Sequence, residues 1–327
     1  MSGLVSISVS PQSVFQINIT NTQNTATPVP FQQMIQLPIS QLGLINPYIR
    51  NLGPLRFSYN GSYIPAWLEG INNGVATIWV KLPVSIPANS SITIEMQVDP
   101  SLNFDGVYWG ENPLLSPTYG EYDNGASVFS YYQRWGNLSS LPSGWSSISG
   151  TVITYASTYI EIAPSPSTDG WYGISLNPIP SSLSSTTTVW EFYGNMYNTT
   201  ATAVYAGTMQ TGTFNANYGY AFFGSYNPDI IYFVNANNQF YSTNYADTNN
   251  NKIYTMQMNS ATSLQMFVNY TQIYSTTSAT PVSLACFQFG TSNGLPSYGI
   301  ANPIYIYWLR TRAYPPNGVM PSVEVIA

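Results

Sequence analysis

Apolar and polar side chains alternate along most of the chain with a period of two residues. The segment Ile92–Val98 alternates without a fault, and Ala76–Leu82 and Phe15–Ile19 follow the same pattern. A period of two places successive side chains on opposite faces of a strand, whereas no stretch has the 3.6-residue period of an amphipathic helix. The chain is therefore predicted to be all-β.

Two Asn-Gly dipeptides, Asn60-Gly61 and Asn73-Gly74, separate neighbouring strand-like segments in the first part of the chain. Asn-Gly suits a type I′ turn, because both central residues of this turn take positive φ angles. The two dipeptides predict consecutive hairpins within a sandwich of about seven short strands. We predict that residues 1–100 form an N-terminal, immunoglobulin-like β-sandwich.

The alternation breaks in residues 101–128, where proline, glycine, aromatic and acidic residues concentrate, and we predict that this segment connects two domains. Strand-like segments resume and fill residues 129–327. Short strands joined by polar turns over such a length are typical of a jelly roll, which is the predicted C-terminal domain. Its candidate strands are Thr187–Tyr193, Tyr218–Gly224, Ile230–Asn235, Lys252–Met258, Leu264–Tyr270, Leu284–Phe289 and Ile304–Tyr314.

Charged side chains are scarce, since Asp, Glu, Lys and Arg make up 6% of the 327 residues and histidine is absent. Acid unfolds proteins mainly by protonating carboxylates that are paired in the native state. With 13 acidic residues the chain has few such carboxylates, which indicates an acidic external medium. A secreted protein of a neutral medium, with an uncharged polar surface, is the alternative. Seven scattered basic residues cannot form a phosphate-binding face, so we expect no nucleic acid partner.

The residue types that most catalytic sites need are missing. No histidine is present to activate a nucleophile, and the one cysteine, Cys286, lies in an apolar strand-like segment. We predict that Cys286 is a small buried hydrophobic residue. We further predict that the protein is not an enzyme and that it has no cofactor, apart from the calcium ion considered below.

No run of eighteen apolar residues occurs in the chain, so no membrane span is predicted. Residues Met1–Val5 have neither the basic region nor the apolar stretch of a secretion signal. Either a leader has been removed, or the protein is made in the cytoplasm and released by assembly or lysis. The second route is typical of virus proteins.

Five motifs follow one another in the first part of the chain: Leu55-Arg-Phe57, Ile64-Pro-Ala-Trp-Leu-Glu69, Ala76-Thr-Ile-Trp-Val-Lys-Leu-Pro83, Ile86-Pro-Ala-Asn-Ser-Ser-Ile-Thr-Ile94 and Phe104-Asp-Gly106. In this order they resemble an uncharacterised surface-domain family of archaea and bacteria, whose members commonly continue into a concanavalin-A-like, laminin-G-like lectin sandwich. The second half is similar to such a module, from Val128–Tyr132 through Trp145 to Ile306–Arg312. The acidic pair of that module's opening strand is replaced here by Ser130–Gln133. The resemblance implies a fold and a surface location, not a reaction.

Four of the thirteen acidic residues lie close together in the predicted connection. Hard cations bind several oxygen ligands, so this group predicts a Ca²⁺ site that braces the domain junction. A solvated linker is the alternative, because the spacing matches no calcium-binding loop. The four candidate ligands are Asp105, Glu111, Glu121 and Asp123.

Two other carboxylates, Glu161 and Glu191, fall in predicted strands of the second domain, where concanavalin-like glycosidases have their acid and nucleophile. Glycoside hydrolysis needs two carboxylates at a fixed separation. The segment Thr187–Tyr193 lacks the closely spaced acidic triplet of such enzymes, so we expect Glu161 and Glu191 to be surface or strand carboxylates instead.

We expect Arg310 and Arg312 to lie over a tryptophan or to pair with acidic residues at the domain junction.

Tyrosine and asparagine residues are concentrated in the part of the second domain that follows residue 225. A ring face stacks on the apolar face of a sugar while neighbouring amides bind its hydroxyls, so this mixture predicts a glycan-binding surface. Strand packing with polar turns is the alternative. The candidate residues are Tyr226, Tyr232, Asn235, Asn237, Tyr241 and Tyr245.

Several Asn-x-Ser/Thr sequons occur, as expected by chance in part for a chain rich in these residues. They predict glycosylation only where the asparagine lies in an exposed turn. The candidates are Asn18, Asn60, Asn89, Asn137, Asn198 and Asn269.

Taken together, these features favour a virion surface protein (a turret, spike or fibre component) of a virus that infects a thermoacidophilic archaeon. Expected partners are other virion subunits, copies of the same chain in a homo-oligomer, and a glycan of the host surface. A cellular surface lectin, surface-layer or filament subunit is the first alternative, and a secreted glycan hydrolase is the second.

Overall fold

The computed structural model describes residues 13–40, 52–166, 170–183, 188–198, 203–209, 219–224, 230–235, 239–260, 262–279, 285–293 and 302–326. For some strand residues, Tyr232 and Asn235 among them, it describes only the backbone. The chain divides into two compact units. Unit 1 comprises residues 1–129 and 315–327, and unit 2 comprises residues 130–314.

Strands account for nearly all regular structure in the described residues, and the predicted all-β fold is confirmed. In chain order they are β1 (Ser13–Asn21), β2 (Phe31–Pro38), β3 (Leu55–Tyr59), β4 (Ser62–Tyr63), β5 (Ala66–Asn72), β6 (Val75–Leu82), β7 (Ser90–Val98), β8 (Trp109–Glu111), β9 (Tyr131–Arg134), β10 (Trp145–Ser147), β11 (Val152–Tyr155), β12 (Ile160–Ala163), β13 (Gly170–Leu176), β14 (Thr188–Asn195), β15 (Val204–Met209), β16 (Gly219–Gly224), β17 (Ile230–Asn235), β18 (Gln239–Ala246), β19 (Lys252–Met258), β20 (Leu264–Val268), β21 (Thr271–Thr276), β22 (Cys286–Asn293), β23 (Ile304–Ala313) and β24 (Ser322–Ile326). A single turn of α-helix, α1 (Gly125–Val128), precedes β9.

Unit 1 consists of a five-stranded sheet, in the order β24-β1-β7-β3-β4, and a four-stranded sheet, in the order β2-β6-β5-β8. The alternation seen in the sequence is the alternation of burial. On β1, Phe15, Ile17 and Ile19 are buried, whereas the residues between them are exposed or half-buried. The strands pair antiparallel except β8, which runs parallel to β5.

Both predicted Asn-Gly turns are present in unit 1. Asn60 and Gly61 have φ angles of 49° and 77° and join β3 to β4, while Asn73 and Gly74 have the same pair of angles and join β5 to β6. Positive φ at both central positions is the type I′ geometry, whose twist matches that of the flanking strands. Each turn therefore fixes the register of its hairpin.

The structure divides the chain differently from the sequence-based expectation in two places. Residues 101–128, predicted to connect two domains, belong to unit 1, because the side chain of Trp109 is fully buried there and its indole N–H donates to the Leu52 carbonyl at 2.8 Å. The amide of Asn124 donates to the carbonyls of Ala66 and Val107 and holds the end of this segment to the sheet. Residues 315–327 also return to unit 1, where β24 pairs with β1 along its whole length.

Unit 2 is a sandwich of two antiparallel sheets, as predicted. One sheet has seven strands, in the order β10-β13-β22-β15-β16-β17-β18, and the other has eight, with β11-β12-β23-β14-β19-β20-β21 in order and β9 paired to β23. Both sheets contribute buried side chains to one core, which includes Trp190, Phe192, Phe289 and Met256. Cys286 is fully buried, and burial raises the pKa of its thiol, as expected of a hydrophobic residue. Among the described residues, no helix is long and apolar enough to cross a membrane.

Candidate functional site

Two of the four carboxylates predicted to bind calcium are engaged in local structure. Asp105 pairs with Arg56 at 3.0 Å, and its other oxygen accepts hydrogen bonds from the backbone N–H groups of residues 107, 108 and 109. Asp123 accepts the indole N–H of Trp67 at 3.0 Å and the backbone N–H of Gly125. Both side chains therefore order the segment around β8.

The other two, Glu111 and Glu121, lie near each other. Glu111 is almost fully buried. Burial raises the pKa of Glu111, a hydrogen bond with Ser116 lowers it, and the charge of Glu121 raises it again. No group of three Asp, Glu or Cys side chains suited to a metal ion forms within the described residues, which include all four candidates. The predicted calcium site is therefore not formed: two of its carboxylates are held by neighbouring donors and the other two make only a pair.

Glu191 lies at the centre of a buried ion network on the eight-stranded sheet. One carboxylate oxygen is 2.8 Å from Arg310 Nε, and the other is 3.1 Å from Arg312 Nη2 and 3.2 Å from the Thr255 hydroxyl. Burial alone would raise the pKa of Glu191, but the two guanidinium groups outweigh it and lower this pKa to about 2. Arg310 and Arg312 thus pair with an acidic residue of unit 2, and Arg310 also lies over the ring of Trp308 at 4.7 Å, as expected.

The spacing of Glu161 and Glu191 does not suit glycoside hydrolysis. Glu161 on β12 pairs with Tyr305 of β23, and Glu191 on β14 pairs with Arg310 of the same strand. Because β23 has a bulge between these two residues, the separation corresponds to four residues of β14, from Glu191 to Asn195, which span about 13 Å. Paired catalytic carboxylates of glycosidases lie only about 5–9.5 Å apart. That neither residue is catalytic stays a prediction.

The predicted glycan-binding residues are only partly described. Tyr226 and Asn237 lie outside the described residues, and only the backbone of Tyr232 and Asn235 is described, on β17. The other two candidates lie on the neighbouring strand β18. Tyr241 keeps 38% of its surface exposed, and Tyr245 packs against the core of the sandwich.

Tyr241 belongs to a group of three aromatic rings that we call the edge cluster, formed with Phe233 and Tyr274. The ring centroids of Tyr241 and Tyr274 are 6.0 Å apart, and Phe233 lies 6.0 Å from the first and 5.0 Å from the second. β18 and β21 are the last strands of their sheets, so Tyr241 and Tyr274 meet where the two sheets come together at one side of unit 2.

The chemistry of the edge cluster is that of a stacking platform. Tyr241 and Tyr274 offer ring faces of suitable size for the apolar face of a sugar, and their hydroxyls can bind sugar hydroxyls. Burial and then the neighbouring Tyr241 raise the pKa of Tyr274, so the Tyr274 phenol stays protonated through the neutral range. The hydroxyl of Ser242 donates to Asn244 beside the cluster. Sequence reasoning missed Tyr274, because its partner ring comes from the opposite sheet.

The sequons fall into two groups. Four asparagines are exposed and take positive φ angles in turns, as the glycosylation prediction requires: Asn60, Asn89, Asn137 and Asn269. Asn198 is buried and its side-chain oxygen accepts the N–H of Asn302, so the folded chain does not present it. Asn18 lies inside β1, between two paired strands.

Residues 51–101 match a family described as a domain of unknown function, DUF2341. The chain contains a DUF2341 domain. This domain covers β3 to β7 of unit 1, the part of the sequence that resembles an uncharacterised surface-domain family.

The chain is 30% identical to uncharacterized protein 562 of Sulfolobus islandicus rod-shaped virus 1, over 98% of its own length and 60% of the length of that relative. The chain thus spans about three fifths of the viral protein that it matches.

Among solved structures, the chain is similar to the Bacillus licheniformis β-glucanase (12% identity, 56% of this chain and 97% of that one, TM-score 0.42). It is also similar to the carbohydrate recognition domain of Emp47p (10% identity, 56% and 95%, TM-score 0.40).

Proposed function

We propose that this protein is an attachment component on the outside of a virus particle and that unit 2 binds a glycan of the host surface. The similarity to a protein of Sulfolobus islandicus rod-shaped virus 1 along 98% of the chain supports a viral origin. The chain has 6% charged residues and no histidine, which suits a surface exposed to an acidic medium.

The observation on which the proposal rests is the edge cluster. Tyr241 and Tyr274 are held by packing against Phe233, so their rings lose little freedom when a ligand binds. Preordered tyrosine rings give large contact area at low entropic cost. We propose contact without catalysis, since Glu191 is buried between two arginines and lies far along the sheet from Glu161.

The proposal is tested by binding of the protein to purified Sulfolobus cell envelopes. Replacing Tyr241 and Tyr274 together by Ala should weaken binding about tenfold, because a loss of roughly 1.4 kcal/mol corresponds to a factor of ten. The matched control replaces both by Phe, which keeps the rings, and should bind within about threefold of the parent. Equal binding by the parent and the double Ala variant would mean that the edge cluster does not bind the host surface.

Two further measurements separate the alternatives. Mass spectrometry of purified virus particles should detect the chain, whereas its presence only in cell envelopes would favour a cellular surface protein. A reducing-sugar assay on a glycan panel should find no release by the parent. Release that disappears when Glu161 and Glu191 are both replaced by Gln would favour a hydrolase.

A further inference from the structure

A row of aromatic rings crosses the face of the eight-stranded sheet that points away from the core. We call it the tyrosine row, and it consists of Tyr159, Tyr305, Tyr307 and Tyr193. Ile304 and Ile306 of β23 and Phe192 of β14 point into the core. Because side chains alternate across a strand, their neighbours Tyr305 and Tyr193 point to the opposite face.

A break in the register of β23 adds one ring to this face. Tyr193 pairs with Trp308 and the next residue, Gly194, pairs with Ile306, so Tyr307 is the extra residue of a β-bulge. A bulge re-aims side chains and lets two consecutive residues share a face. Tyr307 and Trp308 accordingly both contact Tyr193, with ring centroids 5.2 Å and 5.8 Å away.

The rings are in continuous contact across three neighbouring strands. Tyr159, directly before β12, lies 5.5 Å from Tyr305 and 5.4 Å from Tyr307 of β23, and Tyr307 leads on to Tyr193 of β14. β12, β23 and β14 are adjacent in the sheet, so the row runs across the strands and not along them. Since strands lie about 4.8 Å apart, the rings follow one another at the strand spacing.

Burial distinguishes this row from the core. The core rings of Trp190 and Phe192 on β14 keep at most 1% of their surface exposed. All four members of the tyrosine row are only half-buried, whereas Trp308 and the Glu191 network, which lie beside them on the same face, are buried. The buried neighbours therefore hold the rings of the row in place while the rings remain partly accessible, which is the arrangement of a preformed binding surface.

Polar groups at the two ends of the row indicate its ligand. At one end the carboxylate of Glu161 stands beside Tyr305, its partner in the register, and burial and then Glu161 raise the pKa of this tyrosine. At the other end the side chain of Asn251 hydrogen-bonds to Tyr193. Amides and carboxylates bind sugar hydroxyls, whereas a carboxylate at this position repels a uronic or sialic acid.

We propose that the tyrosine row is a binding site for a neutral oligosaccharide that lies across β12, β23 and β14. Consecutive sugar rings stack on consecutive tyrosines, with Glu161 and Asn251 accepting and donating hydrogen bonds at the ends. This site is separate from the edge cluster in sequence, strands and rings, so it does not depend on that part of the proposed function.

The site is tested by isothermal titration of the full chain with neutral hexasaccharides, namely cellohexaose, laminarihexaose, maltohexaose and mannohexaose. At least one should bind, and Tyr307→Ala should weaken it at least tenfold, equivalent to about 1.4 kcal/mol. Tyr307→Phe keeps the ring and should bind within about threefold of the parent, and Tyr241→Ala should leave this affinity unchanged. Thermal unfolding by circular dichroism establishes that each variant is folded.

Three results would overturn the proposal: none of the four neutral probes binds the parent, Tyr307→Ala binds like the parent, or Tyr307→Phe loses as much affinity as a folded Tyr307→Ala variant. Failure of the envelope assay with intact hexasaccharide binding would reject the attachment role alone.

The ligand class is tested with hexagalacturonate as an acidic probe. Glu161→Gln should bind it at least tenfold more tightly than the parent does, because the repelling charge is gone. The same preference for neutral over acidic probes in the parent and in Glu161→Gln would contradict the role given to Glu161.

Discussion

At the scale of single residues, several of the few charges of this chain form buried ion pairs. Glu191, Arg310 and Arg312 form a buried network, and Lys252 and Asp247 form a second buried pair at 2.7 Å. Removing one partner of such a network leaves a buried charge without compensation and costs about 3–5 kcal/mol. Charge scarcity therefore does not mean that the remaining charges are unimportant for stability.

Glu191→Gln should destabilise unit 2 by about 3–5 kcal/mol at pH 7, because two buried guanidinium groups lose their carboxylate. The folded-state pKa of Glu191 is about 2, below its ordinary value of 4.5. The stabilisation is thus complete above about pH 4.5 and is lost as the pH falls through about 2. Denaturant unfolding at pH 7, 4.5 and 2.5 measures the free energy of unfolding. The difference in this free energy between parent and variant should become smaller toward the lowest pH. A difference that stays constant or grows would contradict the assignment.

Individual residues also show how much of the edge cluster and of the tyrosine row could be predicted from the sequence. The exposed Tyr241 was predicted from its polar, tyrosine-rich surroundings. Tyr274 was not, because its contact with Tyr241 exists only once β18 and β21 meet at the side of the sandwich. The sequence did not predict the tyrosine row for the same reason, because its members come from β23, β14 and the residue before β12. In addition, Tyr307 joins the row through a bulge that no local sequence pattern indicates.

At the scale of elements, local signals were sufficient wherever the partner strand is next in the chain. Asn60-Gly61 and Asn73-Gly74 predicted their hairpins because a type I′ turn specifies both neighbours. The alternating segment Ser322–Ile326 could be predicted as a strand but not placed, since its partner β1 lies at the other end of the chain. Residues 101–128 were predicted as a connection, because only tertiary structure brings Trp109 to its buried position.

Removing residues 322–327 should destabilise unit 1 and leave unit 2 unchanged. β24 contributes five paired positions on β1, while its own side chains are at most half-buried, so we expect a loss of about 1–3 kcal/mol. Differential scanning calorimetry of the parent and the truncated chain should resolve this as a shift of one transition. A control variant, Glu324→Gln, keeps the strand and should unfold like the parent. Equal shifts of both transitions would contradict the division into units.

At the scale of the whole molecule, Glu111 of unit 1 and Glu191 of unit 2 respond to acid with opposite signs. Burial raises the pKa of Glu111 in unit 1, so its folded-state pKa lies above the unfolded value of 4.5. The contribution of Glu111 to the stability of unit 1 is fully present below about pH 4.5. It is lost as the pH rises through the folded-state pKa of Glu111. Glu191 in unit 2 has the opposite dependence, because its pKa is lowered.

As the pH falls from 7 toward about 4.5, the melting temperature of unit 1 should therefore rise slightly, while that of unit 2 stays constant over this interval and falls below about pH 4.5. Calorimetric scans at pH 7, 5 and 3 measure the melting temperatures of both units. Glu111→Gln should abolish the rise in unit 1 and serves as the matched control. A steep loss of stability of either unit between pH 7 and pH 5 would contradict the inferred adaptation to an acidic medium.

The pairing of β24 with β1 sets an order of events during synthesis of the chain. Roughly 220 residues separate β7 from β24, and at about 5–20 residues per second a ribosome needs about 10–45 s to make them. Throughout this interval β1 is the last strand of its sheet, and its sequence has no charged residue to discourage pairing with another nascent chain. Unit 2 is complete before this edge is covered, so unit 1, whose synthesis starts before that of unit 2, is finished after it.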